Sequence, residues 1–298
     1  MLVYPPGASQ PLRADHLVRA IIRSDLVPVP VTIELEVRDV PDTASLREGA
    51  IVKAGRDGME FELIKRGGYV EDGHKQAGRN IGTRTYIGVL AKAAAIARPL
   101  TRAVIQYGNS LGAAYRACGF GGAVMRDIPV PEFVCLRGLT PSFEFTKILG
   151  EQAAVMVVQP TGDVSVERIE DLVTRKPVSR MREDSSEQVQ SGFIEQHLLP
   201  FAFTTDRDGA FVIGRNAAGS GVMYRPRASA NVLNSLLKAP IVRRRVPASF
   251  APHINAGDCV QIGPARYFVV TAAHGMETSA TGCDASQTTT LWCAQVSA

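Results

Sequence analysis

The plainest pattern in the chain is strict alternation. Over residues 32–38, Ile33, Leu35 and Val37 take one set of positions and Thr32, Glu34, Glu36 and Arg38 the other. Apolar residues at period two predict a half-buried strand with one wet face. Pro28 and Pro30 confine the stretch before it to an edge or an entry loop. The turn residues at 42–49 lead to a short strand at 50–53. Arg56, Asp57 and Gly58 mark the next turn, and 59–66 alternates again. The first ninety or so residues therefore predict a small antiparallel barrel or sandwich.

The period changes in the middle of the chain. A strand at 83–90 gives way to a short helix, or its stub, at 91–98, stopped by Pro99. The clearest helix covers 109–119. Asn109 or Ser110 caps it, Leu111, Ala114, Tyr115 and Cys118 form its apolar stripe, and Gly119 stands where it stops. An extended connector at 127–131 and a short strand at 133–136 follow. Leu139, Thr140 and Pro141 open a second helix, with Thr140 expected as N-cap, Pro141 at the first helical position, and Phe145, Ile148 and Leu149 along one side. The apolar runs 153–158 and 164–169 flank Pro160, Thr161, Gly162 and Asp163 and predict a β-hairpin. Residues 174–191 are crowded with polar side chains and predict a loop or linker. Strands return at 211–214, 260–262, 267–273 and 288–294, with an amphipathic candidate helix at 231–238. The expected class is α+β and β-dominated, with two small antiparallel β-barrels and an α+β insert between them. The expected units are 1–92 and 192–298 for the barrels, 93–173 for the insert and 174–191 for the linker.

Composition narrows the classes. At 298 residues the chain can bury two cores, and 45% hydrophobic against 21% charged residues is the balance of a folded protein. A net charge of +4 is too small to argue nucleic-acid binding by itself. Arg243, Arg244 and Arg245 form the densest basic run; they could touch phosphate or an acidic partner, and are expected on a solvated loop. Cys118, Cys135, Cys259, Cys283 and Cys293 are odd in number and irregularly spaced, unlike a secreted disulfide framework. With His253 and His274 they also lack the close C-x-x-C pairs of zinc sites, so no metal is expected. The first sixteen residues have no basic segment leading into an apolar run, and no stretch approaches the ~20 apolar residues of a membrane helix. Folding in the cytoplasm is expected.

One stretch suggests chemistry. Residues 267–274, YFVVTAAH, spell the histidine motif of trypsin-like proteases. A triad needs a nucleophile and an acid beside that base. Only twenty-four residues follow His274, with Asp284, Ser279, Ser286 and Ser297 among them and no G-D-S-G-G stretch. A hydrolase or peptidase using His274 is the alternative reading; the favoured one is a period-2 strand. His16, His74, His197 and His253 lack partners at motif spacing, the glycine-rich pieces at 119–122 and 214–221 miss the phosphate-cradling pattern, and Glu34/Glu36 and Asp206/Asp208 are expected to be solvated faces. No enzyme is expected, and no catalytic, cofactor-binding or metal residue. A sugar- or peptidoglycan-binding module would need an exposed aromatic platform, to which Trp292 is poorly suited.

Taken in order, the segments resemble the baseplate or tail hub proteins of bacteriophages, the group that includes the hub part of type VI secretion spikes. Leu46 to Gly49 before Ala50, Ile51 and Val52, then residues 61–64, resemble the first hub barrel. The 109–119 helix, Asp127-Ile128-Pro129, Leu139-Thr140-Pro141 with its helix, and the hairpin around Gly162 and Asp163 are similar to the inserted middle segment. Residues 255–258, Val260, 267–271, His274 and 288–291 look like the second barrel. The resemblance implies a homotrimer whose paired barrels form a pseudo-sixfold ring. Such a ring meets a tail tube or distal tail protein on one side and a threefold spike or tip protein on the other, with a tape measure protein as a further partner. It implies a virion component at the tail tip or baseplate, assembled in the host cytoplasm, with DNA only in transit, no cofactor and no membrane-spanning segment. Arg243 to Arg245 would then serve an interface or the lumen.

Overall fold

The computed structural model describes residues 1–76, 79–189, 200–214, 221–226, 228–236, 238, 240–278 and 284–296. Strands dominate it. The first lobe is built from β1 (Val3–Tyr4), β2 (Leu17–Asp25), β3 (Val31–Arg38), β4 (Ile51–Ala54), β5 (Met59–Gln76) and β6 (Arg79–Leu90). The alternation seen in sequence is realised in β3, where Val31, Ile33, Leu35 and Val37 are buried and the polar residues between them are half-exposed. β2 was not expected. Its sequence, LVRAIIRSD, does not alternate cleanly, and the ladder to β3 shifts register between Leu17 and Arg19. A bulge breaks the period-2 pattern from which such a strand is recognised.

The middle of the chain holds β7 (Val104–Ser110), α1 (Leu111–Ala117), β8 (Val124–Met125), β9 (Pro129–Cys135), α2 (Pro141–Glu151), β10 (Ala154–Val158) and β11 (Val164–Arg168). The expected short helix at 91–98 is two 3₁₀ turns, 91–93 and 95–97. The Ser110 hydroxyl caps α1 by accepting from the Ala113 N–H at 3.2 Å, and Gly119 ends the segment at φ +94°. Gly112, in the first turn of α1, has no room for a side chain: a Cβ there would lie 2.6 Å from an Asp127 carboxylate oxygen, whose partner oxygen accepts the Gly112 N–H at 2.8 Å. The predicted hairpin is β10–β11, paired antiparallel from Ala154–Arg168 to Val158–Val164. In its turn Asp163 accepts the Ala123 N–H at 3.0 Å and the Lys92 ammonium at 2.9 Å; these bonds and one from Thr161 hold its carboxyl down at about 2.

After β11 come α3 (Ile169–Thr174), β12 (Ser179–Met181), β13 (Glu187–Gln188), β14 (Pro200–Thr205), β15 (Phe211–Ile213), β16 (Gly221–Tyr224), α4 (Ala230–Leu236), β17 (Pro240–Ser249), β18 (Cys259–Ile262), β19 (Ala265–Thr278) and β20 (Ala285–Val296). The polar stretch expected as a loop thus carries two short strands, β12 alongside β18 and β13 alongside β17.

Twelve strands share one sheet, in the path β1-β4-β5-β6-β3-β2-β19-β20-β17-β13, with β18 added to β19 and β12 to β18. The path is open among the described residues, so its hydrogen bonding does not close into two separate barrels. β19 explains the continuity. Residues 265–268 pair with β18, a bulge follows at Val269–Thr271, and residues 271–277 pair with β2. One strand therefore belongs to both lobes.

Three apolar clusters follow this plan. The largest unites the first lobe with the insert, from Ile33, Leu35 and Phe61 to Tyr115, Phe133 and Phe145. Tyr115, Phe145 and Phe133 stack in series, with ring centroids 4.0 and 4.9 Å apart. A second, around Val246, Val260, Val269 and Leu291, fills the last lobe. A third, with Leu26, Val157, Leu172 and Phe268, is the seam between insert and last lobe. Burying a residue such as Phe268 there contributes about 1.5–3 kcal/mol.

Candidate functional site

The lobes meet at the turn 255–258, Asn-Ala-Gly-Asp. The Ala256 N–H donates to the buried Ser24 hydroxyl of β2 at 3.0 Å. The Gly257 N–H donates to the Val269 carbonyl, and the Val269 N–H returns to the Asp258 carbonyl, both at 2.8 Å. Gly257 adopts φ +93°, and a Cβ there would lie 2.7 Å from a Val157 methyl. Only glycine satisfies both the left-handed backbone and the close approach of β10. Asp258 accepts the Asn255 N–H at 2.8 Å, while burial pushes its carboxyl above the ordinary value. Arg175 donates to the Gly257 carbonyl at 3.1 Å and reaches Glu167 at 2.6 Å. Glu167 is buried and also takes Arg126 at 2.7 Å and the Ser165 hydroxyl at 2.7 Å. A buried carboxylate with two guanidiniums and a hydroxyl is fully compensated; removing one partner is what costs.

His274 lies beside this joint in β19 and is 5% exposed. Its Nε2 is 3.0 Å from the Ile254 carbonyl and its Nδ1 is 3.0 Å from the Thr289 hydroxyl. A carbonyl only accepts, so Nε2 carries the proton; Nδ1 then accepts from Thr289. The Thr289 oxygen in turn accepts the Ala251 N–H at 2.9 Å. The Phe250 ring meets the imidazole edge-on, 6.2 Å away. The relay ties the 250–254 segment to β19 and β20 using both ring nitrogens of a neutral imidazole. Burial lowers the pKa of His274, consistent with that state.

A cavity of about 330 Å³ opens next to His274, walled by Ile22, Met59, Phe61, Val158, Phe250 and Pro252 among others. No serine, threonine or cysteine contributes to that wall among the described residues. Ser286 stands across from Glu277, three rungs along the ladder from the His274–Thr289 pair, or roughly 10 Å at ~3.3 Å per residue. Asp284 is exposed, and Ser279 and Ser297 lie outside the described residues. His274 is therefore a strut between loop and sheet.

Among the described residues, two sheet faces are uncovered. One is the outer side of the β7–β9 pair, with Ile105, Tyr107 and Leu136 exposed. The other is the outer side of the β15–β14–β16 sheet, with Phe211, Ile213 and Tyr224 exposed. The second is an aromatic platform, and Trp292 is not in it: Trp292 is half-buried in β20.

No family model matches the chain, and no curated protein does. Solved structures do. A tail protein from Neisseria meningitidis MC58 superposes with a TM-score of 0.65 at 13% identity, covering 99% of this chain and 96% of that one. The 43 kDa tail protein of prophage MuSo2 from Shewanella oneidensis gives 0.65 at 10% identity, covering 98% and 96%. A type VI secretion component of E. coli, described as structurally similar to the T4 tail proteins gp27 and gp5, gives 0.56 at 7% identity, covering all of this chain and 77% of that one. The fold is that of phage tail proteins.

Within this tail-protein fold the arginine run needs correcting. It is not on a loop: Arg243, Arg244 and Arg245 lie in β17, between β20 and β13. Arg244 reaches Glu183 at 2.9 Å and Arg245 reaches Glu187 at 2.8 Å. Both acidic partners come from the polar stretch some sixty residues earlier, so local sequence could not reveal the pairing. Cys118, Cys135, Cys259 and Cys293 are buried free thiols, and burial pushes Cys118 and Cys293 up to about 12; Cys283 lies outside the described residues. His16 is buried and His253 exposed; His197 and the His74 side chain lie outside the described residues. No helix among the described residues is long and apolar enough to cross a membrane.

Proposed function

We propose that the chain is a structural component of a phage or phage-like tail tip. In this role it is a homotrimeric hub that matches a sixfold tail tube to a threefold spike or tip and lines the passage for DNA. The observation that carries this reading is the end-to-end likeness to two tail proteins, which spans nearly all of each chain. The open sheet supports it as well. β1 and β13 each end a hydrogen-bonded path without a further partner among the described residues, and unpaired edges are completed by neighbours in assemblies. In the trimer the two lobes, 1–92 and 192–298, act as barrel-like halves. The 93–173 insert joins them, 174–191 links insert to second lobe, and six similar patches face the tube. Tube or distal tail protein, spike or tip protein and tape measure protein are the partners, the virion tail tip is the location, and the role requires no catalysis.

Immunogold labelling of purified particles tests the location. Label at the free end of the tail is expected; label along the tube or on the capsid contradicts it.

A further inference from the structure

The two uncovered sheet faces carry opposite rims of charge. In the two-stranded sheet, Ile105 stands opposite Val134 and Tyr107 opposite Glu132. The alternate positions Val104, Phe133 and Cys135 are buried, so Ile105 and Tyr107 (70% exposed) point outward. Arg102 and Arg137 lie just beyond the Val104–Cys135 end of this sheet; both are exposed, and neither has an ion-pair partner among the described residues. In the three-stranded sheet, Phe203 stands opposite Ile213 and Tyr224, and Thr205 opposite Phe211. Its Phe203 ring lies 5.6 Å from Phe211 and 5.2 Å from Tyr224. The alternate residue Ala202 is buried with Leu233 of α4 on the inner side, leaving Phe211 71% exposed. The turn at the end of this face holds Asp206 and Asp208, both exposed. The Asp206 carboxylate is fixed by the N–H groups of Asp208 and Ala210 at 2.9 and 2.8 Å. Even the minority charges are opposite: Glu132 on the first face, Arg207 beside the second.

We propose that the outer face of β7–β9 on one copy of this chain packs against the outer face of β14–β15–β16 on the next. Two copies meeting through the same face would bring like charges together, arginine on arginine or aspartate on aspartate. Pairing unlike faces sets Arg102 and Arg137 beside Asp206 and Asp208 over an apolar, aromatic centre, the composition of an interface core. A contact between unlike faces is head-to-tail, so each copy offers one face to each neighbour and a ring closes when the rotation permits. The inference rests on the proposed self-association and names the surfaces that produce it.

Sedimentation velocity on the full chain tests it, with circular dichroism melts verifying that each variant folds. Ile105→Asp with Tyr107→Asp disables the first face; Phe211→Asp with Tyr224→Asp disables the second. Each variant alone is expected to weaken assembly tenfold or more. Mixed one to one, they should form a dimer through the single intact pair of faces. Arg137→Asp and Asp208→Arg, which alter only exposed residues, should each weaken assembly and, in one chain, restore it. Wild-type assembly that neither face variant disturbs overturns the inference while leaving self-association standing, as does a mixture that stays monomeric. If Phe211→Asp spares assembly and instead abolishes binding of a soluble peptidoglycan fragment, the aromatic face is a glycan platform and the inference fails. A wild-type chain that is monomeric at all concentrations overturns both it and the reading beneath it.

Discussion

His274 shows how little a motif means without its neighbours. The letters V-V-T-A-A-H describe a strand entering a buried imidazole, and what decides the role is Thr289 and Ile254, fifteen and twenty residues away. Protonation would put a hydrogen on Nδ1, where the Thr289 hydroxyl now donates, and would charge a buried ring. The folded pKa lies below the ordinary ~6.5, so the native state binds fewer protons than the unfolded chain. Stability is then fully present above about pH 6.5, falls as pH drops below it, and stops falling below the folded pKa. Urea unfolding between pH 7.5 and 5 should show that decline, and His274→Ala should flatten it while costing about 2–4 kcal/mol at pH 7.5, from lost packing and orphaned partners. A variant as stable as wild type would refute the strut. Tyr115 gives the opposite sign. Its hydroxyl is buried in the aromatic stack with no hydrogen-bond partner among the described residues, so Tyr115→Phe should leave stability unchanged or raise it by about 1 kcal/mol. A loss on thermal or urea unfolding would mean that the hydroxyl is bonded.

At the scale of elements, what was legible is what local physics dictates. β3 announces itself through Ile33, Leu35 and Val37, α1 through its serine cap and glycine stop, and β10–β11 through Pro160, Gly162 and Asp163. What was hidden depends on partners far away. β2 is masked by a bulge, and β7 carries outward-facing Ile105 and Tyr107 that give no clean period. The arginine strand is neutralised in part by Glu183 and Glu187, which the chain places on it only by folding. The 255–258 turn was visible as a motif, but its work as a joint, with Gly257 pressed on Val157, was not. Gly257→Ala should therefore destabilise by roughly 2–4 kcal/mol, from a left-handed backbone and a forced clash. Glu167→Gln should cost about 1–2 kcal/mol by weakening the charged hydrogen bond to the partly buried Arg175, Arg126 being mostly solvated. Urea unfolding measures both, and a change under 0.5 kcal/mol in either would contradict the joint.

At the scale of the molecule, the sequence suggested two barrels on either side of an insert, and the ladder shows one open sheet in which β19 serves both lobes. Alternation reports which residues face a core; it does not report which strand lies beside which, so closure was beyond its reach. Order along the chain carried further than any motif, because the fold it pointed to is the one shared with the tail proteins. The central claim is that this fold works as a trimeric hub. Electron microscopy of the purified chain, with its native mass measured on the same sample, tests that most directly. The account predicts a three-subunit ring with an open centre and a pseudo-sixfold face. A monomer that forms no ring at any concentration, alone or with tail-tube protein, would contradict it.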